Sequence, residues 1–145
     1  MRIVSGSHKG RKIIAPKNLP IRPTTDMSKE SIFNILSNLY EFNEISVIDL
    51  FSGSGNISYE FASRGVANIT AIDQNRHCVD FIKKTTIDLG LTINSLKSDS
   101  ITFLKKKVGY YDLIFGDPPY DWKAEAYFVL INEAKKSLNE SILYP

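Results

Sequence analysis

Between residues 44 and 138 the chain alternates short apolar runs with stretches of helical period, and this alternation limits its fold more than any other feature. "ISVIDLF", "NITAID", "TINSLKS" and "YDLIFG" read as strands. The intervening segments read as helices: "NISYEFASR"; a stretch with Val79, Ile82, Thr86 and Leu89 on one face before Gly90 stops it; and the short "SITFLKKK". A longer helix from about Ala124 to Leu138 turns Tyr127, Leu130, Ile131, Ala134 and Leu138 inward, and "SILY" begins a fifth strand. Strands that are apolar throughout, separated by amphipathic helices, specify a mostly parallel, doubly wound α/β sheet covered on both faces.

The first 40 residues follow another pattern. "MRIVSG" and "GRKIIAP" predict a short hairpin with His8, Lys9 and Gly10 near its turn, and three prolines make "PKNLPIRPTT" a loop. Thr25 or Asp26 then caps a helix with Ile32, Leu36 and Leu39 on one face and Phe33 and Tyr40 beside them. The reading is an extension over residues 1–40 and a core over 41–145. Charge divides in the same way. Residues 1–30 hold seven Lys/Arg against two acids, a net +5, while the rest carries 11 against 14, a net −3, so the total of +2 hides a basic end. Such a cluster either forms a solvated surface or attracts a polyanion.

In a doubly wound sheet, ligands bind beyond the carboxyl ends of the strands, where strand order reverses. Four features fall there. In "DLFSGSG", Gly53 and Gly55 let the backbone turn sharply and approach a ligand, and the next helix presents its N–H groups. Asp73, 20 residues after Gly53, ends the second strand and suits the hydroxyls of a ribose. Asp99 ends the third, placed for an adenine amino group, and "DPPY" (117–120) ends the fourth. Each has a plainer reading: a tight turn for the glycines, helix caps for Asp73 and Asp99, a strand stop for the prolines. Their common register favours a single site.

A nicotinamide enzyme shares the glycine loop and ribose acid, but Ser58 replaces the third glycine of that fingerprint and Asp49 precedes the loop. One cysteine, Cys78, and two histidines supply neither a disulfide framework nor a metal cluster. With no apolar leader and no long uncharged run, a cytoplasmic chain free of membrane spans is expected.

Together "VIDLFSGSG", "AID" and "FGDPPY" resemble the S-adenosylmethionine-dependent class I methyltransferases, Rossmann-like enzymes, and among them those acting on exocyclic amino groups of bases. Adding "MRIVSGSHKGRKI", "RPTTDMSKESIFNIL" and "DLFSGSGNISYEFASRG", the chain resembles the RsmD family, which methylates the N2 amino group of a guanine in small-subunit ribosomal RNA. Met27 and Ser28 depart from that pattern. Family members continue through a fifth strand and a final antiparallel pair, so the resemblance implies C-terminal strands missing here.

The resemblance implies S-adenosylmethionine as cofactor, no metal, and small-subunit ribosomal RNA or the assembling subunit as partner. Asp49 and the backbone of Phe51, Ser52, Gly53, Ser54 and Gly55 would lie against the methionine portion, Asp73 would hold the ribose, and Asp99 with Ser100 would address the adenine. Asp117 and the Pro118 carbonyl would orient the substrate amine, with Tyr120 stacked on the base. Arg22 and Thr24 belong to the segment lying over the crevice, and Lys9, Arg11 and Lys12 would meet RNA phosphates. Two alternatives stay open: an adenine-N6 methyltransferase of DNA or another nucleic acid, and a non-catalytic RNA-binding assembly protein.

Overall fold

The computed structural model of the protein describes residues 1–21, 24–106 and 109–139. Its sheet contains β1 (Ser46–Asp49), β2 (Asn68–Asp73), β3 (Asn94–Lys97) and β4 (Leu113–Phe115) in the order β3-β2-β1-β4. All three pairings are parallel. Successive strands step outward from β1 to β3 and the chain then crosses back to place β4 on the other side of β1. Strand order therefore reverses between β1 and β4, where the loops leaving the two strands diverge and open a crevice. The fifth strand expected at "SILY" lies outside the described residues.

Side chains alternate across a strand, and β1 uses both faces. Val47 packs with Phe33, Ile57, Phe61 and Ile69, bringing α1 (Asp26–Leu39) and α2 (Asn56–Ser63) onto one face. Ile48 and Leu50 point the opposite way, toward Phe103 and Leu104 of α4 (Ser100–Lys105) and Leu130 of α5 (Ala124–Lys136). A third cluster joins Tyr59 and Ala71 to Ile82 and Leu89 of α3 (Arg76–Leu89). Gly90 ends α3 at φ +66°, a left-handed conformation that glycine adopts without the Cβ penalty.

The extension is anchored in this core. Its hairpin is reduced to one antiparallel bridge, Arg2 with Lys12, from which Ile3 and Ile13 enter the cluster of Tyr59 and Ile82. Thr25 caps α1 by accepting the Ser28 N–H. Phe33 of α1 is fully buried, whereas Leu39, expected on the inner face, is 68% exposed. Leu36 and the C-cap residue Tyr40 cover the core at this end of the helix, and Leu39 is turned to solvent between them. Ile131, also expected inward, is 49% exposed; Leu130 occupies the buried side of α5.

Lys29 is completely enclosed, which the periodicity of α1 does not anticipate. Its ammonium lies 3.2 Å from Glu60, also fully buried, and donates to the Arg2 carbonyl and to Asn56 Oδ1. Glu60 further accepts from the N–H groups of Val4 and Ser5 and from Arg64 Nε. Burial alone raises a carboxyl pKa, but these donors and the Lys29 charge outweigh it and hold Glu60 below its ordinary range. One buried acid thus ties the hairpin, α1 and α2 together.

Candidate active site

The loop after β1 is tied to the end of β2. The Ser52 N–H donates to the Ile72 carbonyl, and the Gly53 N–H donates to Asp73 Oδ2 at 2.8 Å. Gly55 is the N-cap of α2, at φ +90°, and a Cβ there would come within 2.5 Å of the Tyr59 ring. A side chain at this position would displace the loop or the core beneath it. Asp73 also accepts the Asn75 N–H at 2.9 Å, while α3 is capped by Asn75, whose Oδ1 accepts from His77 and Cys78. Asp73 is therefore bound to the glycine loop and is not the cap of α3. A carboxylate offers about four acceptor sites, so lone pairs remain for hydroxyl donors.

Asp99 does cap its helix, with Oδ2 accepting from both the N–H and the hydroxyl of Thr102. It nonetheless lines the same cavity as Asp73. Beside it, the Ser100 hydroxyl donates to the Leu50 carbonyl and fastens the start of α4 to the end of β1.

Asp49 is placed differently. It shares a strand face with Val47 and so points toward α2, where Oδ2 accepts from the Ser58 hydroxyl at 2.9 Å. It is 1% exposed and is not among the residues lining the cavity. Burial pushes its carboxyl up to about 7, against the Ser58 and Phe51 hydrogen bonds that favour the charged form, and the negative charge of Asp73 adds to the rise.

A single cavity of about 820 Å³ brings the strand-end features together. Phe51, Ser52, Gly53 and Ser54 contribute from the β1 loop, Asp73 from β2, Asp99 and Ser100 from beyond β3, and Asp117 and Tyr120 from beyond β4. Gly55 and Pro118 are not on its wall, whereas Pro119 is. The Pro119 carbonyl accepts from the Tyr127 hydroxyl at 3.0 Å and from the Trp122 N–H, which fixes the "DPPY" turn to α5. Asp117 and Tyr120 are exposed, Tyr120 to 86%. Trp122 stands edge-on to Phe51, with ring centres 5.3 Å apart, and both rings line the cavity.

Thr24 lies on the wall, and Arg22 falls outside the described residues. Lys9, Arg11 and Lys12 are exposed on the hairpin, away from this wall. Sequence reading missed Trp122, Asn56 and Lys29; Asn56 alone carried a local signal, because it directly follows Gly55. The Cys78 thiol is buried and pushed up to about 11, first by desolvation and then by Asp73, so it is no ready nucleophile. Among the described residues, no helix is long and apolar enough to cross a membrane, and no group of three or more His, Cys, Asp or Glu is placed to hold a metal ion.

The family described as "Conserved hypothetical protein 95" matches residues 1–144. Over 121 residues the chain is 35% identical to ribosomal RNA small subunit methyltransferase D of Buchnera aphidicola subsp. Baizongia pistaciae, covering 83% of this chain and 61% of that relative. Its counterpart from Buchnera aphidicola subsp. Acyrthosiphon pisum is 32% identical over 161 residues, covering 99% of this chain and 81% of the relative. Among solved structures, a hypothetical protein of Thermus thermophilus superposes with a TM-score of 0.83 at 22% identity, covering 96% of this chain and 80% of that one.

Proposed function

The chain belongs to the family of ribosomal RNA small subunit methyltransferase D, with the Rossmann-like class I fold, and on that premise we propose that it methylates the N2 amino group of a guanine in small-subunit ribosomal RNA, using S-adenosylmethionine. One observation carries the reading: a single cavity at the strand reversal holds the glycine loop, Asp73 and Asp99 on one side and Asp117 with Tyr120 on the other. The donor set fits the cofactor. A tight glycine backbone admits close approach, and carboxylates at two successive strand ends accept from ribose hydroxyls and an adenine amine.

In this mechanism the β1 loop would lie against the methionine portion of the cofactor, Asp73 would hold its ribose, and Asp99 with Ser100 would meet its adenine. Asp49 acts from behind the loop through Ser58 and α2. When bound, S-adenosylmethionine supplies an electrophilic methyl group on a sulfonium. The guanine amine is a poor nucleophile because its lone pair is delocalised into the ring. The Asp117 carboxylate on the cavity wall accepts one amino hydrogen; the other is assigned to the carbonyl of Pro118, which is itself off the wall between the lining residues Asp117 and Pro119 and must turn inward when substrate binds, so that the lone pair is directed toward the methyl group. Tyr120, exposed at the rim, stacks on a base that has left its own stack. Asp117 accepts the proton as the nitrogen becomes charged.

The test offers purified small subunits, free small-subunit ribosomal RNA and duplex DNA with methyl-labelled cofactor, then digests the nucleic acid to nucleosides. Label recovered as N2-methylguanosine from ribosomal RNA is expected. Label confined to adenine would transfer the chemistry to an adenine-N6 enzyme, and cofactor binding with no labelled product would leave an RNA-binding assembly protein.

A further inference from the structure

A second groove, of about 360 Å³, adjoins the catalytic cavity and shares Ile21, Thr24, Ser54 and Asn56 with it. Its outer wall is the second limb of the N-terminal hairpin, Ile13 to Ala15. Ile13 is anchored in the core, and alternation then turns Ile14 outward, where it is 90% exposed. The preceding residues of the same limb, Arg11 and Lys12, are exposed cations. An apolar slot beneath a basic strip complements a single-stranded nucleic acid, whose bases present apolar faces and whose phosphates lie outside them.

The junction of groove and cavity carries a fixed polar group. Lys29 donates to Asn56 Oδ1 at 2.8 Å, and because an ammonium only donates, the amide oxygen must face it. The two amide N–H groups are what remains for Asn56 to offer the spaces it lines. Neither Asp117 nor Tyr120 borders the groove, so it is separate from the place assigned to the reacting base.

Resting on the ribosomal RNA reading above, we propose that this groove binds the base next to the target nucleotide in the same strand. Its face lies on Ile14, and the Asn56 amide donates to an acceptor on its edge. The subsite would make the enzyme sensitive to a base it does not modify.

The experiment is a coupling cycle in RNA affinity. The RNA fragment that the chain protects in footprinting of small-subunit ribosomal RNA is scanned with single abasic nucleotides against the wild-type chain and Ile14→Asp. One abasic position beside the target should weaken wild-type binding roughly tenfold, equivalent to ~1.4 kcal/mol. Ile14→Asp should weaken binding of the intact RNA similarly, and the two changes together should add little beyond either alone. Effects that multiply at every position, or a chain that protects no RNA, would overturn the subsite. Cofactor affinity checks that the variant is folded. With four RNAs differing only at the coupled position, the wild type should prefer bases bearing a keto oxygen and Asn56→Ala should lose the preference; a retained preference removes the amide from the proposal. Methyl transfer is measured separately: a wild-type chain that shows the coupling without methylating RNA would refute the proposed activity and leave the subsite standing.

Discussion

The two walls of the crevice are built on opposite principles. On the β1–β2 side, Gly53 is hydrogen-bonded to Asp73, Gly55 is seated against Tyr59, and Asp49 and Glu60 lie wholly inside the protein. On the β4 side, Gly116, Asp117 and Tyr120 all face solvent. A wall stiffened from behind suits a small cofactor that must be met in one pose, whereas an open rim suits a base delivered by a large polyanion. On the proposed mechanism, desolvation of Asp117 would be deferred until substrate covers it, when its carboxylate would act in a lower dielectric.

The largest effect is expected from breaking what supports the first wall. Lys29→Met leaves Glu60 buried without its lysine, and loss of one partner from a buried pair costs about 3–5 kcal/mol. Denaturant unfolding measures it. A loss below about 1 kcal/mol would mean that Arg64 and the Val4 and Ser5 amides satisfy Glu60 unaided.

Asp117→Ala should separate the walls functionally. Single-turnover methyl transfer is expected to fall on the order of 100-fold or more with cofactor affinity nearly intact. Equal turnover in both proteins would remove Asp117 from the mechanism. The reciprocal change, Asp73→Ala, should weaken S-adenosylmethionine binding by about 1.5–3 kcal/mol, the range for hydrogen bonds to charged groups. Part of that loss will be indirect, because Asp73 also holds the Gly53 N–H. Calorimetric titration of the folded variant decides; unchanged affinity would confine Asp73 to shaping the loop.

Asp49 sharpens the contrast through pH. Its folded pKa, about 7, lies above the ordinary carboxyl value, so the folded state holds the proton more tightly than the unfolded chain. Its contribution is most favourable below about pH 4 and is lost as pH rises through about 7. Asp49→Asn should remove that decline, so that the variant gains stability relative to wild type between about pH 5 and 8 in a series of unfolding midpoints. A parallel pair of pH profiles would show that Asp49 ionises without cost. The smallest effect is expected on the outside. Reversal of Lys9, Arg11 and Lys12 to Glu should lower the slope of log affinity against log salt by roughly 0.7–0.9 per lost phosphate contact, with cofactor affinity unchanged. An unaltered slope would make this basic surface mere solvated charge.

Much of the fold is local information, and it is legible for that reason. "NITAID" reads as β2 to the residue, Gly90 marks the end of α3, and Thr25, one of two residues expected to cap α1, does so. The register of the strand ends also follows, since each acid closely succeeds an apolar run. The topology rule then implies one crevice for Asp73, Asp99 and Asp117 without any coordinates.

Burial and bonding across distant segments were decided only by the tertiary structure. Nothing in "DMSKES" distinguishes Lys29 from a surface lysine, because the acid that retains it lies 31 positions away on α2. Asp73 and Asp99 look alike as strand-end acids, yet Asp99 became a helix cap while Asp73 was taken by Gly53, and Asn75 capped α3 instead. Leu39 and Ile131 satisfy their helical periods and still face water, since a period describes one element and exposure depends on whether another element reaches it. The chain's own order of residues thus specified the strands, their helices and the acids at their ends; which carboxylate was buried, paired or left at the rim was determined by packing, whose energies depend on groups brought together from remote parts of the sequence.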